Sequence, residues 1–436
     1  MFKHEPLSLH PILVREVARA LSGIFNENRY ADKVIEYALK QNPKAGSRDR
    51  AFIAETTYLV VRYYRFFCAV LGEEPKDLES FWRLIGIAML VHPDEKLRRE
   101  SLPPWQEFKD LNPEAVRSKA EKLLENRALA ESIPDWLDSL GAKELGNHWP
   151  ATLHALNEPA RVVLRTNTLK TTRAELQNRL LEEEVETEPV GDGDALVLVR
   201  RKNVFLTKAF KAGCFELQDY SSQQVALLLS PEPGMRVVDA CAGGGGKALH
   251  LAALMQNKGL LIALDTVGWK LDALRLRARR AGASNIEART IESRKVIKRL
   301  YGTADRLLLD VPCSGLGVLR RNPDSKWKLS EESIASLRQT QQEILQQYSP
   351  ILKPGGRMVY AKIRRRSLLF WLRKPEKISD SSPNAVFYRR MKVSMGFTWH
   401  CLKNNPKQIL KSTHHATCFF FQALCIVQPL GEPFDG

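Results

Sequence analysis

What the chain lacks narrows the reading first. No run among its 436 residues stays apolar for the length of a bilayer span, which argues against a membrane protein. The opening "MFKHEPLSLHPILVREVARAL" is broken by charge and lacks the continuous apolar core of a signal peptide. The seven cysteines are odd in number and scattered, with no Cys-x-x-Cys pair. That argues against a disulfide framework and suits a reducing compartment. A soluble, cytoplasmic protein is expected.

The hydrophobic fraction, 44%, is normal for a globular protein, and 436 residues exceed what one compact domain usually holds. The net charge of +16 suggests a polyanionic partner, but residues 361–436 alone carry 13 Lys/Arg against 4 Asp/Glu. The first 360 residues are left with an excess of +7, compatible with nucleic-acid binding without demonstrating it.

Residues 1–140 read as an all-helical domain. "LHPILVREVARALSGIF" and "YADKVIEYALKQNP" space apolar residues three and four apart, as amphipathic helices do. "SRDRAFIAETTYLVVRYYRFFCAVLG" reads as one helix, with Ser47 as N-cap and Gly72 as its end. Further helices are expected around Trp82–Val91 and Pro113–Leu129. Arg48, Arg50, Arg62 and Arg65 read either as a solvated face, which spacing alone favours, or as a phosphate-contacting one. Residues 145–230 alternate short strands and helices, a small α+β unit. From 231 to 436 strands and helices alternate regularly up to "GRMVYA", which implies a parallel sheet with helices on both faces. Ligands then bind beyond the carboxyl ends of the strands.

Two segments carry candidate chemistry. "VVDACAGGGGKALHLA" sets glycines between a strand and a helix, where backbone approaches a ligand closely. A Walker A loop would need Gly at 241 and Ser or Thr at 248; Cys241 and Ala248 exclude it. The next strand ends in Asp265, where an acid can hold two ribose hydroxyls. In "LLLDVPCSGLGVLRRNPDSKW" a buried strand delivers Asp310 and then Cys313 to the sheet's carboxyl edge. Pro312 ends the strand and Ser314-Gly315 turn the chain, so the thiol is expected to face the cleft. Arg320, Arg321 and Lys326 follow as candidates to meet phosphates.

These residues resemble the Sun-type (Fmu, RsmB-like) RNA cytosine-5 methyltransferases. The resemblance covers most of residues 1–361 and rests on "LRTNTLK", "LQDYSSQQVA", "DACAGGGGK", Asp265 and "DVPCSGLGVLRRNPDSKW". It implies a Rossmann-like class I S-adenosylmethionine-dependent methyltransferase domain over 231–436, preceded by the α+β unit and a NusB-like RNA-binding domain. It also implies that Cys241, Ala242, Gly243, Gly244, Gly245, Gly246, Lys247 and Asp265 hold the cofactor. Asp310 would lie between cofactor and base, with Cys313 assisting product release. Where the family usually has an Asp after its third strand, the nearest acid is Glu292. Ribosomal RNA is the expected substrate ahead of transfer RNA. Such chemistry is reasonable: a thiolate adding to carbon 6 of cytosine makes carbon 5 nucleophilic, an acid near the ring nitrogens stabilises the developing charge, and the base must leave its stack.

The family's attacking cysteine follows "GGRMVYA" as a Thr-Cys pair. This chain has Lys362 and Ile363 there, followed by Arg364, Arg365 and Arg366. Periodicity stays poor until about 411; near the end "ILKSTHHATCFFFQALCIV" regains a strand-like look, with Cys418 inside it, and resembles the family's last hairpin strand. Three readings compete: a frameshift over about 362–411, divergence in a non-catalytic RNA-binding relative, or another thiol acting, with Cys313 ahead of Cys418. A zinc site from His414, His415, Cys418 and Cys425 fits no standard ligand spacing.

Overall fold

The computed structural model describes residues 9–363 and, as backbone, 422–427. The chain divides into two compact units, Met1–Pro159 with Gly315–Ser330 and Ala160–Ser314 with Glu331–Gly436.

The first unit is helical, with α1 (Pro11–Phe25), α2 (Ala31–Gln41), α3 (Ser47–Arg62), α4 (Tyr64–Leu71), α5 (Leu78–Leu90), α6 (Pro113–Leu123), α7 (Arg127–Ala130), α8 (Asp135–Leu145) and α9 (Trp149–Asn157). The periodicity of α1 is used as expected: Val14, Val17, Leu21 and Ile24 are buried in a core shared with α3 and α5. The single helix expected from Ser47 to Gly72 is instead two, broken at Tyr63 (φ −111°, ψ 25°). Ser47 is the first helical residue rather than the cap. The cap is Gly46, whose N–H donates to the Asp49 carboxylate at 3.2 Å. Gly72 does end α4, in the left-handed region at φ +96°.

Three of the four arginines singled out in the sequence have partners within this unit. Buried Arg62 donates to the carbonyls of Leu319 (3.3 Å) and Arg320 (2.9 Å). Arg65 donates to the Ile133 carbonyl and the Asp135 carboxylate, and Arg50 to the Leu39 carbonyl. Arg48 alone of the four is exposed. The segment 315–330 is part of this unit because of such contacts. Lys326, expected at a phosphate, is 1% exposed, and its amine donates to the Arg62 carbonyl (2.7 Å) and Asn157 Oδ1 (3.3 Å). Trp327 Nε1 donates to the Val61 carbonyl, and Asp324 accepts from the Ala31 N–H at the start of α2. Arg320 donates to the carboxylate and carbonyl of Glu158. Burial holds the Lys326 amine well below the usual lysine range. Lys326→Ala removes these bonds and leaves a cavity; it is expected to cost about 2–4 kcal/mol in urea unfolding followed by helical circular dichroism. A loss under about 0.5 kcal/mol would show that the segment is held without it.

The second unit opens with an antiparallel sheet in the order β2-β3-β1-β4, from β1 (Val163–Thr166), β2 (Thr187–Val190), β3 (Ala195–Leu198) and β4 (Phe215–Leu217). It is joined by α10 (Arg173–Glu182) and α11 (Lys208–Lys211). Thr172 and Glu175 form a capping box at the start of α10. After α12 (Tyr220–Leu229) comes the expected α/β alternation: β5 (Arg236–Asp239), α13 (Gly246–Leu254), β6 (Leu260–Asp265), α14 (Gly268–Ala281), β7 (Ile286–Thr290), α15 (Arg294–Lys298), β8 (Ala304–Asp310), the helix Glu331–Tyr348, β9 (Leu352–Ile363) and β10 (Gln422–Val427).

The strand order is β10-β9-β8-β5-β6-β7. All neighbours are parallel except β10, which runs antiparallel to β9 with Leu424 opposite Ala361. The sheet is covered on both faces, by one core containing Val237, Leu261 and Leu308 and another containing Val238, Ile262 and Leu307. From β5 the chain winds outward to β6 and β7, then returns to place β8 on the other side of β5. The carboxyl ends of β5 and β8 therefore flank the point where winding reverses, where such sheets bind ligands.

Candidate cofactor and active site

Three strand ends build the site. The chain leaves β5 at Asp239 and turns through the glycine loop, in which the Ala240 N–H bonds the Leu308 carbonyl (3.0 Å) and the Ala242 N–H bonds the Leu264 carbonyl (2.8 Å). Gly243 (φ +53°) and Gly245 (φ +84°) lie in the left-handed region, and a Cβ on Gly245 would sit 2.5 Å from Leu274 Cγ. Asp265, at the end of β6, accepts from the Gly243 N–H (2.9 Å) with one oxygen and from the Val267 N–H (2.8 Å) with the other. Asp310, at the end of β8, pairs with Lys247 of the loop at 2.5 Å. Cys241 to Lys247, Asp265 and Asp310 are thus brought together.

Cys313 lies three residues beyond Asp310 and is exposed. The preceding turn is fixed by Gln341, whose Nε2 donates to the Pro312 carbonyl at 2.7 Å. Burial pushes the Cys241 thiol upward, which disfavours its thiolate. Glu292 follows β7, where the Ile291 N–H bonds the Asp265 carbonyl, and its side chain is exposed. Asp310 is in register with Ala361, so the backbone of Lys362 and Ile363 continues past it at the same sheet edge. Their side chains, Arg364 to Arg366, the segment to 411, and His414, His415 and Cys418 lie outside the described residues, as does the side chain of Cys425. Among the described residues no three His, Cys, Asp or Glu are grouped to hold a metal ion.

Sequence reasoning missed three residues. Arg165, 2% exposed in β1, donates to Gln218 Oε1 and to the Gly246 carbonyl at 2.6 Å. Arg277 of α14 donates to the Gly244 carbonyl at 2.5 Å and pairs with buried Glu216. The two arginines hold two carbonyls of the glycine loop. Arg165 lies within "LRTNTLK", where a charge inside a strand, following apolar Val162, Val163 and Leu164, was the available signal.

Asp239 is the third, 1% exposed, with one oxygen facing the Cys241 N–H at 3.4 Å and the other without a partner. Burial, reinforced by Asp310 and opposed by Lys247, raises its carboxyl from 3.8 to about 7. Between those values the folded state binds a proton the unfolded state has released, so stability falls as pH rises from about 4 to about 7. Asp239→Asn is expected to abolish that part of the slope, on the order of 4 kcal/mol, in urea unfolding across this range. Identical slopes in the two proteins would show that Asp239 ionises normally.

A glycine loop after the first strand, an acid ending the second and an acid ending the fourth define a Rossmann-like S-adenosylmethionine-dependent methyltransferase. The solved structure of the protein PH0851 shares the fold, with TM-score 0.66 and 24% identity over 82% of this chain and 86% of that one. The family description "16S rRNA methyltransferase RsmB/F" matches residues 226–365, and its ferredoxin-like domain matches 133–205. A Synechocystis protein named "Probable ribosomal RNA small subunit methyltransferase B" is 30% identical over 78% of this chain and 83% of its own length. A Bacillus subtilis protein of the same name is 33% identical, over 63% of this chain and 60% of its own. The human 28S rRNA (cytosine(4447)-C(5))-methyltransferase is 34% identical over 48% of this chain and 26% of its own length. The chain belongs to the RsmB/F family of ribosomal RNA methyltransferases.

Proposed function

We propose that this chain is an RNA cytosine-5 methyltransferase by descent, directed at ribosomal RNA, that keeps its cofactor and base-handling residues and does not turn over. The observation that carries the second half is Lys362-Ile363 where the family's Thr-Cys pair belongs. An isoleucine has no lone pair to add to carbon 6, and no thiol stands among residues 362–400.

The residues present fit the cofactor. The glycine loop leaves backbone room, and each Asp265 oxygen accepts one N–H and keeps capacity for a second hydrogen bond, so a ribose can be held without displacing the loop. Glu292 stands after the third strand, where a second acid is expected. S-adenosylmethionine, when bound, supplies an electrophilic methyl group. Lys247 orients Asp310, whose carboxylate is placed to stabilise charge at the ring nitrogens of an extruded cytosine. Cys313 sits past the same strand end, in the position from which the family assists product release.

The reading is tested by calorimetry with S-adenosylmethionine together with filter binding of unmethylated small-subunit rRNA and of tRNA. Cofactor binding is expected, with rRNA held at least tenfold tighter than tRNA. Absence of cofactor binding, or preference for tRNA, overturns it.

A further inference from the structure

Among the described residues of the second unit, positive charge is concentrated in one place. Residues 266–301, covering α14, β7 and α15, carry 10 Lys/Arg against 3 Asp/Glu. That net +7 equals the whole excess of the first 360 residues, so the rest of that stretch is balanced. Four of these cations have structural partners: Arg277 and Arg280 pair with Glu216, Arg275 with Asp272, and Arg289 with Glu287. Arg279, Arg294, Lys295, Lys298 and Arg299 are exposed, and among the described residues their side chains make no hydrogen bond or ion pair.

The last four of these follow the edge strand β7 directly in the chain. β7 is the terminal strand. Leu271, Leu274 and Ala278 seat α14 on one face of the sheet, and Ile297 seats α15 on the other. Both helices start at the carboxyl end, where Asp265 and Asp310 also lie. A Cβ at Gly268 would stand 3.8 Å from Thr290 Oγ1, so α14 begins beside the end of β7. Two large side chains on α14 are also left in water, Trp269 (69% exposed) and Leu276 (65%). Unpaired like charges crowded on one edge repel one another, and a solvated surface gains nothing from that crowding.

We propose that the β7 edge, through Arg294, Lys295, Lys298 and Arg299, is a docking surface for the phosphate backbone of the substrate RNA. This rests on the RNA reading above and adds where the strand outside the reaction pocket is held. Phosphate contacts of this kind set position and orientation without reading sequence. They also give salt-dependent affinity through counterion release.

The test uses the full chain and a labelled rRNA fragment in filter binding at several KCl concentrations. The variant Arg294→Gln/Lys295→Gln/Lys298→Gln/Arg299→Gln is expected to weaken binding at least ~10-fold at low salt and to reduce the steepness of the log–log salt plot by about 3. A comparator with equal loss of charge, Lys33→Gln/Lys40→Gln/Lys44→Gln/Arg48→Gln, is expected to change neither by more than about twofold. S-adenosylmethionine affinity, read by calorimetry, should be the same in all three proteins. If the quadruple variant loses cofactor binding, the two halves Arg294→Gln/Lys295→Gln and Lys298→Gln/Arg299→Gln carry the test, each expected to remove about half the slope change. Unchanged affinity and slope in the variant, or an equal loss in the comparator, overturns the docking surface while leaving the RNA reading intact. A wild-type chain that binds cofactor and no RNA overturns both.

Discussion

Methyl transfer to ribosomal RNA by this chain is expected to fall at least ~10⁴-fold below that of a relative carrying the Thr-Cys pair, because deleting a covalent nucleophile removes the step the other groups serve. Carbon 5 of cytosine is a poor nucleophile until a thiolate has added to carbon 6. In the proposed reading Asp310, Lys247 and the glycine loop bind and orient, and none of them carries a thiol to add to the ring. Asp310 of β8 is in register with Ala361 of β9, and the next two residues of the sequence, Lys362 and Ile363, carry no thiol. The measurement is incorporation of labelled methyl groups into unmethylated rRNA, beside a relative whose sequence carries the Thr-Cys pair as standard. Turnover within tenfold of that standard would contradict the expectation.

Asp265→Ala is expected to weaken S-adenosylmethionine binding tenfold to hundredfold, about 1.5–3 kcal/mol for lost hydrogen bonds to a charged acceptor. The geometry adds to the effect. The same carboxylate accepts from the Gly243 N–H, so truncation also releases the loop from the end of β6. Asp265→Asn is expected to lose less, since it keeps one acceptor oxygen for the Gly243 or Val267 N–H. Titration calorimetry reads both. Equal affinity in wild type and Asp265→Ala would remove Asp265 from the site.

Most of the site was legible because its residues sit beside strand ends whose apolar pattern is local. "LLIALD" and "LLLDVP" each end a buried run in an acid, and Asp265 and Asp310 lie there, while "VVD" leads into the glycine loop. The winding order that makes β5 and β8 neighbours follows from βα alternation. What stayed hidden depends on contacts distant in sequence. Lys326 reads as a surface cation until a carbonyl 264 residues away accepts its amine. Arg62 reads as part of a helical charged face until the carbonyls of Leu319 and Arg320 turn out to satisfy it. Spacing within one helix carries no information about such partners. Asp239 was passed over because nothing local says that one of its oxygens is buried without a partner. The strand pattern regained near the C-terminus does form β10, paired with Met358–Ile363 of β9.

The central claim, that the cofactor site persists without a working nucleophile, is tested most directly by covalent trapping. The full chain is incubated with S-adenosylmethionine and rRNA containing 5-fluorocytosine or 5-azacytosine, then run on a denaturing gel. A thiol that attacks carbon 6 leaves a protein–RNA adduct that survives denaturation. No shifted band is expected from this chain, beside a clear one from a relative with the Thr-Cys pair. A shifted band that disappears in Cys313→Ser would contradict the account, because the exposed thiol past Asp310 would then have taken over the missing role.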